Sequence, residues 1–292
     1  MEEDRVYQSM HELIRRTCTD LPQDILDAIE NARAAERAGS IAQATLDTIL
    51  KSSRLSRERT LPICQDTGAL LALIQSRPGM DVVLIEEAIR KAVRALTAEG
   101  ILRQNCVDPL TDRNTGDNTG QGAPQIHCEL ADGPTVVRVM LKGGGSENMS
   151  TQYSLPMARI QAGRDFEGVR RCLLDAVHQA QGQGCAPGIL GVCIGGDRAS
   201  GYLEAKRQLF RRLDDVNPSP VLALLEQTVV AQANSLGIGP MGLGGRTTLL
   251  GCKICVAGRH PACFFVTVSY SCWATRRYQV ELDTTGGIGA WI

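Results

Sequence analysis

The octet Leu61-Pro62-Ile63-Cys64-Gln65-Asp66-Thr67-Gly68 separates a region of helical apolar spacing from an apolar run, Ala69 to Ile74. Proline fixes its own φ and glycine admits backbone that other residues avoid, so the octet reads as a loop feeding a strand. Helices on one side and a strand on the other point to an α/β chain. The same loop carries a thiol, an amide that both donates and accepts, and a carboxylate that can hold a proton.

Upstream, three helices are expected between about residues 6 and 57. The first has Val6, Met10, Leu13 and Ile14 on one stripe. The second opens at Asp20 or Pro22 and runs through Ile25, Leu26, Ile29 and Ala32. The third extends from Ile41 to Leu55 and carries Ala42, Leu46, Ile49 and Leu50. After the octet a strand is expected at 69–75, then a helix at about 82–97 with Val83, Ile85, Ala88, Ile89 and Val93.

From Gly100 the texture changes. Residues 101–124 are rich in Asn, Asp, Thr, Gly and Pro, and so long a polar stretch within a compact chain is a functional or partner-facing segment. Residues 126–130 and 135–141 read as two strands paired around the Asp132-Gly133 turn. Helices are expected at 166–179, 198–213 and 219–235, and strands at 189–194, 247–256 and 264–270. The whole, 1–292, is expected to be one α/β domain, with a helical layer over about 1–100 and a mixed α/β part over about 101–292.

The formal charge is −1 without a basic block, and aromatic residues make up 4%. Neither nucleic acid nor an anionic membrane surface suits such a chain. The start, Met1-Glu2-Glu3-Asp4-Arg5, has no signal-peptide core, and no uncharged apolar run long enough for a bilayer is evident. A soluble, cytoplasmic protein is expected. Its eleven cysteines do not suggest a disulfide framework; metal, cluster or catalytic use of a few, with the others packed as small hydrophobes, fits better.

Three cysteines share one context. Cys64 lies in the octet, Cys185 in Gly182-Gln183-Gly184-Cys185-Ala186-Pro187-Gly188, and Cys272 at a strand end before Arg276 and Arg277. Glycine lets backbone approach an inorganic centre, and three thiolates leave one face open for a substrate. The bland alternative is that each cysteine packs in a tight corner. Taken singly, Asp66 would be a turn former, Arg103 a surface residue and His260 structural. The CxxC of Cys252 and Cys255 lies in a strand and reads as core, as do Cys18, Cys106, Cys128, Cys172, Cys193 and Cys263. Gly237-Ile238-Gly239-Pro240-Met241-Gly242 matches GxGxxG, yet a helix precedes it and a strand follows, the reverse of a dinucleotide site.

The octet, Lys142-Gly143-Gly144-Gly145-Ser146-Glu147-Asn148, the glycine-dense 237–245, Arg259-His260-Pro261 and Ser269 to Arg277 together resemble the α subunit of the iron–sulfur (class I) fumarase and tartrate dehydratase family. The resemblance covers nearly the whole chain. It implies a [4Fe-4S] cluster on Cys64, Cys185 and Cys272, substrate contacts from Gln65, Arg103, Gly144 and His260, and Asp66 as the acid that handles the departing hydroxyl. The Lys-Gly-Gly-Gly-Ser-Glu-Asn segment is similar to the fumarase branch. Motifs of the family's C-terminal half are not found here, which implies a β subunit, a small dicarboxylate substrate and a heterotetramer. The expected activity is hydration of fumarate to (S)-malate. L-Tartrate or a related hydroxy-diacid is the alternative, and a non-catalytic Fe–S or zinc protein the remote one.

Overall fold

The structure is a computed structural model that describes residues 2–292. In chain order its elements are α1 (Glu2–Thr19), α2 (Gln23–Ala35), α3 (Ile41–Arg59), β1 (Ala69–Ser76), α4 (Val82–Ala98), β2 (Gln125–Leu130), β3 (Thr135–Lys142), α5 (Gly144–Asn148) and β4 (Thr151–Ser154). There follow α6 (Phe166–Ala180), β5 (Gly188–Gly195), α7 (Arg198–Gln208), α8 (Pro220–Ser235), β6 (Leu249–Ala257), β7 (Phe265–Ser271), β8 (Arg276–Leu282) and β9 (Ile288–Trp291). The fold is mixed α/β with a helical N-terminal region, as the sequence leads one to expect. It divides into two compact units, each assembled from separated stretches of chain.

The first unit takes residues up to Pro22, Ser52–Gly144 and Ala274–Ile292. Its sheet has the order β2-β1-β3-β8-β9, with β1 and β2 parallel and the other neighbours antiparallel. Val6, Met10, Leu13 and Ile14 of α1 and Ile85, Ile89 and Val93 of α4 are buried with Val137, Val139 and Val280 of the sheet. The helical stripes read from the sequence are thus the core-facing ones. Asp81 caps α4 by accepting from the Leu84 N–H at 3.0 Å.

One expectation fails here. β2 and β3 do not pair around Asp132-Gly133, because β1 lies between them. β1 is apolar on both faces and nearly all buried, so burial places it in the middle of the sheet with a ladder on each side. β2 is mostly exposed at the edge. Cys128 on that edge is exposed too, its thiol 3.3 Å from Glu86 Oε1, and does not belong to the core.

The second unit takes Gln23–Lys51 and Gly145–Trp273. Its sheet has the order β4-β7-β5-β6, with β5 and β6 parallel and β7 antiparallel to both its neighbours. Leu173, Ala176 and Val177 of α6 and Leu225, Val229 and Ala233 of α8 pack on Leu190, Val192 and Ile254. α2 belongs to this unit through its polar ends. Asp24 accepts from the Leu213 N–H at 2.8 Å, and Glu36, just beyond the helix, accepts from the N–H groups of Arg246 and Thr247 at 2.7 and 3.0 Å. α7 stops at Gln208, short of the expected 213, where Arg211 turns to Asp215 and Glu226.

Among the described residues, Pro220–Gly242 is long and apolar enough by length and composition to cross a membrane. The stretch is not uncharged, because it contains Glu226. That carboxylate is buried, and its Oε1 accepts from Arg211 Nη1 at 3.0 Å, Asn217 Nδ2 at 2.8 Å and the Ile254 N–H at 2.7 Å. Such a network fits a core helix of a folded unit. Glu226→Ala leaves the Ile254 N–H without its acceptor and removes one acceptor each from Asn217, which keeps the Ile254 carbonyl, and Arg211, which keeps Asp215. The expected cost is about 1–3 kcal/mol, read as a lower urea midpoint at unchanged slope; no measurable loss would contradict the assignment.

Candidate active site

In the first unit, strand register assembles the surroundings of Asp66. Ala69 of β1 pairs with Lys142 of β3, and Leu141 of β3 pairs with Arg276 of β8. The turn entering β1, the exit of β3 and the start of β8 therefore meet at one end of the sheet. Asp66 Oδ1 accepts from the Gly68 N–H at 2.9 Å and Oδ2 from the Gly144 N–H at 2.8 Å. The Asp66 carbonyl accepts from Arg276 Nη1 at 2.9 Å. Two of the roughly four acceptor sites of the carboxylate are taken, so it is held in orientation with capacity to spare. A Cβ on Gly143 would lie 2.9 Å from Asp66 Oδ2, which only glycine avoids.

Thr67, fully buried, anchors the polar segment 101–124. Its Oγ1 accepts from the Arg103 N–H at 3.0 Å and from Asn105 Nδ2 at 2.9 Å. Asn118 closes the segment, accepting from the N–H groups of Asn105 and Cys106 and donating to the Arg103 carbonyl at 2.6 Å. The Arg103 side chain is left exposed beside the Asp66 turn, as is Gln65, while Cys64 is half-buried. Gly144 lies at the start of a short helix, and its N–H serves Asp66.

In the second unit, Cys185 has left-handed backbone, φ 52°, before a cis Ala186–Pro187 bond. Its carbonyl accepts from the Trp273 N–H at 3.2 Å, which draws together the chain segments of Cys185 and Cys272, both half-buried. Gly184 and Gly188 lie flat on the Tyr270 ring: a Cβ on either would come within 2.4 Å of a ring atom or the hydroxyl. Burial raises the Tyr270 phenol above its ordinary range. The glycine-dense 237–245 serves the same loop, the Met241 N–H donating to the Ala186 carbonyl at 2.8 Å. Those glycines shape a structural turn between α8 and β6 and do not open a helix. His260 is exposed between β6 and β7; its Nδ1 accepts from the Ala262 N–H at 3.1 Å, which leaves Nε2 as the outward nitrogen.

No cysteine among the described residues is in a disulfide. Among the described residues no group of three His, Cys, Asp or Glu side chains that could hold a metal ion is found. Cys185 and Cys272 are soft donors in the second unit, and Cys64 is a soft donor in the first. That donor chemistry fits an iron–sulfur cluster better than a hard cation.

Sequence reasoning gave no role to three residues. Arg276 was noted only as lying beyond Cys272, yet it is 1% exposed and its buried Nε has no hydrogen-bond partner in the structure. Thr67 and Tyr270 are ordinary letters whose importance lies in what they touch.

The Tyr270 packing yields a direct test. Gly184→Ala is expected to cost about 1–3 kcal/mol by overpacking, and adding Tyr270→Leu should return part of it. Additive losses in the double variant, by urea denaturation, would contradict the contact.

A family model described as "Fumarate hydratase (Fumerase)" matches residues 7–281. A Geobacillus stearothermophilus protein, provisionally named fumarate hydratase class I, is 49% identical over 99% of this chain, which spans 57% of that protein's length. A Methanocaldococcus jannaschii protein, provisionally named L(+)-tartrate dehydratase subunit alpha, is 35% identical over 93% of the chain and 96% of its own length. An Escherichia coli L(+)-tartrate dehydratase subunit alpha is 30% identical over 91% and 88%. Extended over almost the whole chain and at these identities, the likeness has one meaning: the chain belongs to the fumarate hydratase (fumerase) family.

Proposed function

We propose that the chain is the α component of a two-subunit iron–sulfur hydro-lyase that interconverts fumarate and (S)-malate in the cytoplasm. The observation that carries the reading is the Asp66 carboxylate, held by the Gly68 and Gly144 N–H groups beside Cys64. The higher identity to the relative named fumarate hydratase supports fumarate over tartrate. The relatives named subunit alpha support a β subunit beside it, which we propose assembles as a heterotetramer.

The proposed ligands of a [4Fe-4S] cluster are Cys64, Cys185 and Cys272. When bound, such a cluster supplies a Lewis acid for the hydroxyl that leaves malate. The residues of the chain do the remainder. Asp66 donates a proton to the departing oxygen and takes it back in the hydration direction; its fixed orientation keeps the acid aimed at one place. Arg103 carries a planar cation suited to a carboxylate, and His260 offers Nε2–H to the same class of group. Gln65 can donate to one oxygen of the substrate and accept from a hydroxyl. Gly144 contributes through its backbone, with its N–H already committed to Asp66. The base that removes the C–H proton is assigned to the β subunit.

Anaerobic co-expression with a β subunit and reconstitution tests the reading. Malate and fumarate are expected to turn over faster than L-tartrate, and Asp66→Asn to lower kcat by roughly 10²–10⁴ with little change in KM. Preferential turnover of tartrate would move the chain to the second reading, which its similarity to the relatives named L(+)-tartrate dehydratase subunit alpha favours. Full activity of Asp66→Asn would remove the proposed acid.

A further inference from the structure

Cys193 and Cys255 occupy opposed positions on the parallel strands β5 and β6. Parallel neighbours lie ~4.8 Å apart, within the Cα separations that a disulfide spans. Val192 and Ile254, their paired neighbours in the register, point into the hydrophobic core. Side chains alternate along a strand, so the two cysteines share the opposite face. The thiols are within hydrogen-bonding reach of each other, and neither is in a disulfide. Cys193 is fully buried, whereas Cys255 is half-buried and open to a small solute.

We propose that Cys193 and Cys255 form a reversible redox dithiol that closes to a disulfide when hydrogen peroxide reaches Cys255. The Cys255 sulfur attacks one peroxide oxygen, the O–O bond breaks, and a sulfenic acid and one water result. Cys193 then attacks the Cys255 sulfur, the S–O bond breaks, and the hydroxyl leaves as a second water with the remaining thiol proton. Two thiols lose two electrons, and one peroxide is reduced to two waters. The hydrogen bond prepares the second step. Accepting from Cys255 lowers the pKa of Cys193, and donating raises that of Cys255, with burial adding to the rise. Because Cys193 can take the Cys255 proton through that hydrogen bond, the less buried sulfur reaches its nucleophilic form as it attacks, and Cys193 then serves as the resolving sulfur.

The pair contains none of the cysteines assigned to the cluster, so the proposal stands apart from the functional reading. It assigns the CxxC of the sequence to two different tasks: Cys252 is core, while Cys255 works with a partner from the neighbouring strand.

The test is a peptide map of the full-length protein after a mild hydrogen peroxide dose and alkylation. Trypsin separates Ile254–Arg259, which holds Cys255, from Cys172–Arg198, which holds Cys193. The expected result is loss of alkylation at both cysteines and a cross-linked peptide lighter by two hydrogens. Fragmentation should place the bond at Cys193, dithiothreitol should reverse it, and Cys255→Ser should abolish it. Alkylation of both cysteines to the untreated extent would overturn the proposal. So would a bond from Cys255 to Cys172 or Cys185, or separate oxidation of the two thiols to sulfinic acids. The wild-type map decides the matter even if the variant folds poorly.

Discussion

Asp66 is tied to main chain on both of its oxygens, and that constraint organises the first unit. Its donors are Gly68, just before β1, and Gly144, two residues beyond β3, so the carboxylate bridges two segments at the same end of one antiparallel ladder. The third strand in the set, β8, adds the Arg276 guanidinium beneath the same turn. Burying a cation is costly unless its donors are used, and here one of them holds the backbone of the acid. A one-residue slip of β1 against β3 would exchange the Leu70, Ala72 and Ile74 face packed in the core for the opposite one and separate Asp66 from Gly144 together. The core of the sheet and the geometry of the acid are therefore one constraint.

The second unit reaches its candidate residues by a different device. Cys185 is placed by close packing: an aromatic ring beneath two glycines, a main-chain bond to Trp273, and a neighbouring glycine-dense loop that donates through Met241. Glycine is used for proximity, which is why the GxGxxG letters mislead. The dinucleotide reading needs the N–H groups of that loop to face a ligand, and here the Met241 N–H is spent on the Cys185 turn.

Much of this was legible. Period and punctuation revealed α1, α4, α6, β1, β5 and β7, because their apolar residues decide burial. β8 was not, since Arg276, Arg277, Gln279 and Glu281 give it no apolar alternation, although it lies in the middle of a sheet. The pairing of β2 with β1 also escaped, because a short turn argues for a hairpin until the burial of β1 demands two neighbours. Candidate residues were found through loop chemistry and family likeness. Their supports were not, since Thr67, Tyr270 and Arg276 act by contact and carry no motif of their own. The division into two units was hidden as well: the attachment of α2 rests on Asp24 and Glu36, each a single carboxylate accepting backbone N–H groups.

The central proposal is that Cys64, Cys185 and Cys272 ligate one cluster. Its most direct test is iron and acid-labile sulfide content after anaerobic reconstitution, measured on the wild type and on Cys64→Ser, Cys185→Ser and Cys272→Ser, with Cys128→Ser as control. The account predicts that each of the three variants loses the cluster while the control matches the wild type. Full iron and sulfide in Cys64→Ser would contradict it.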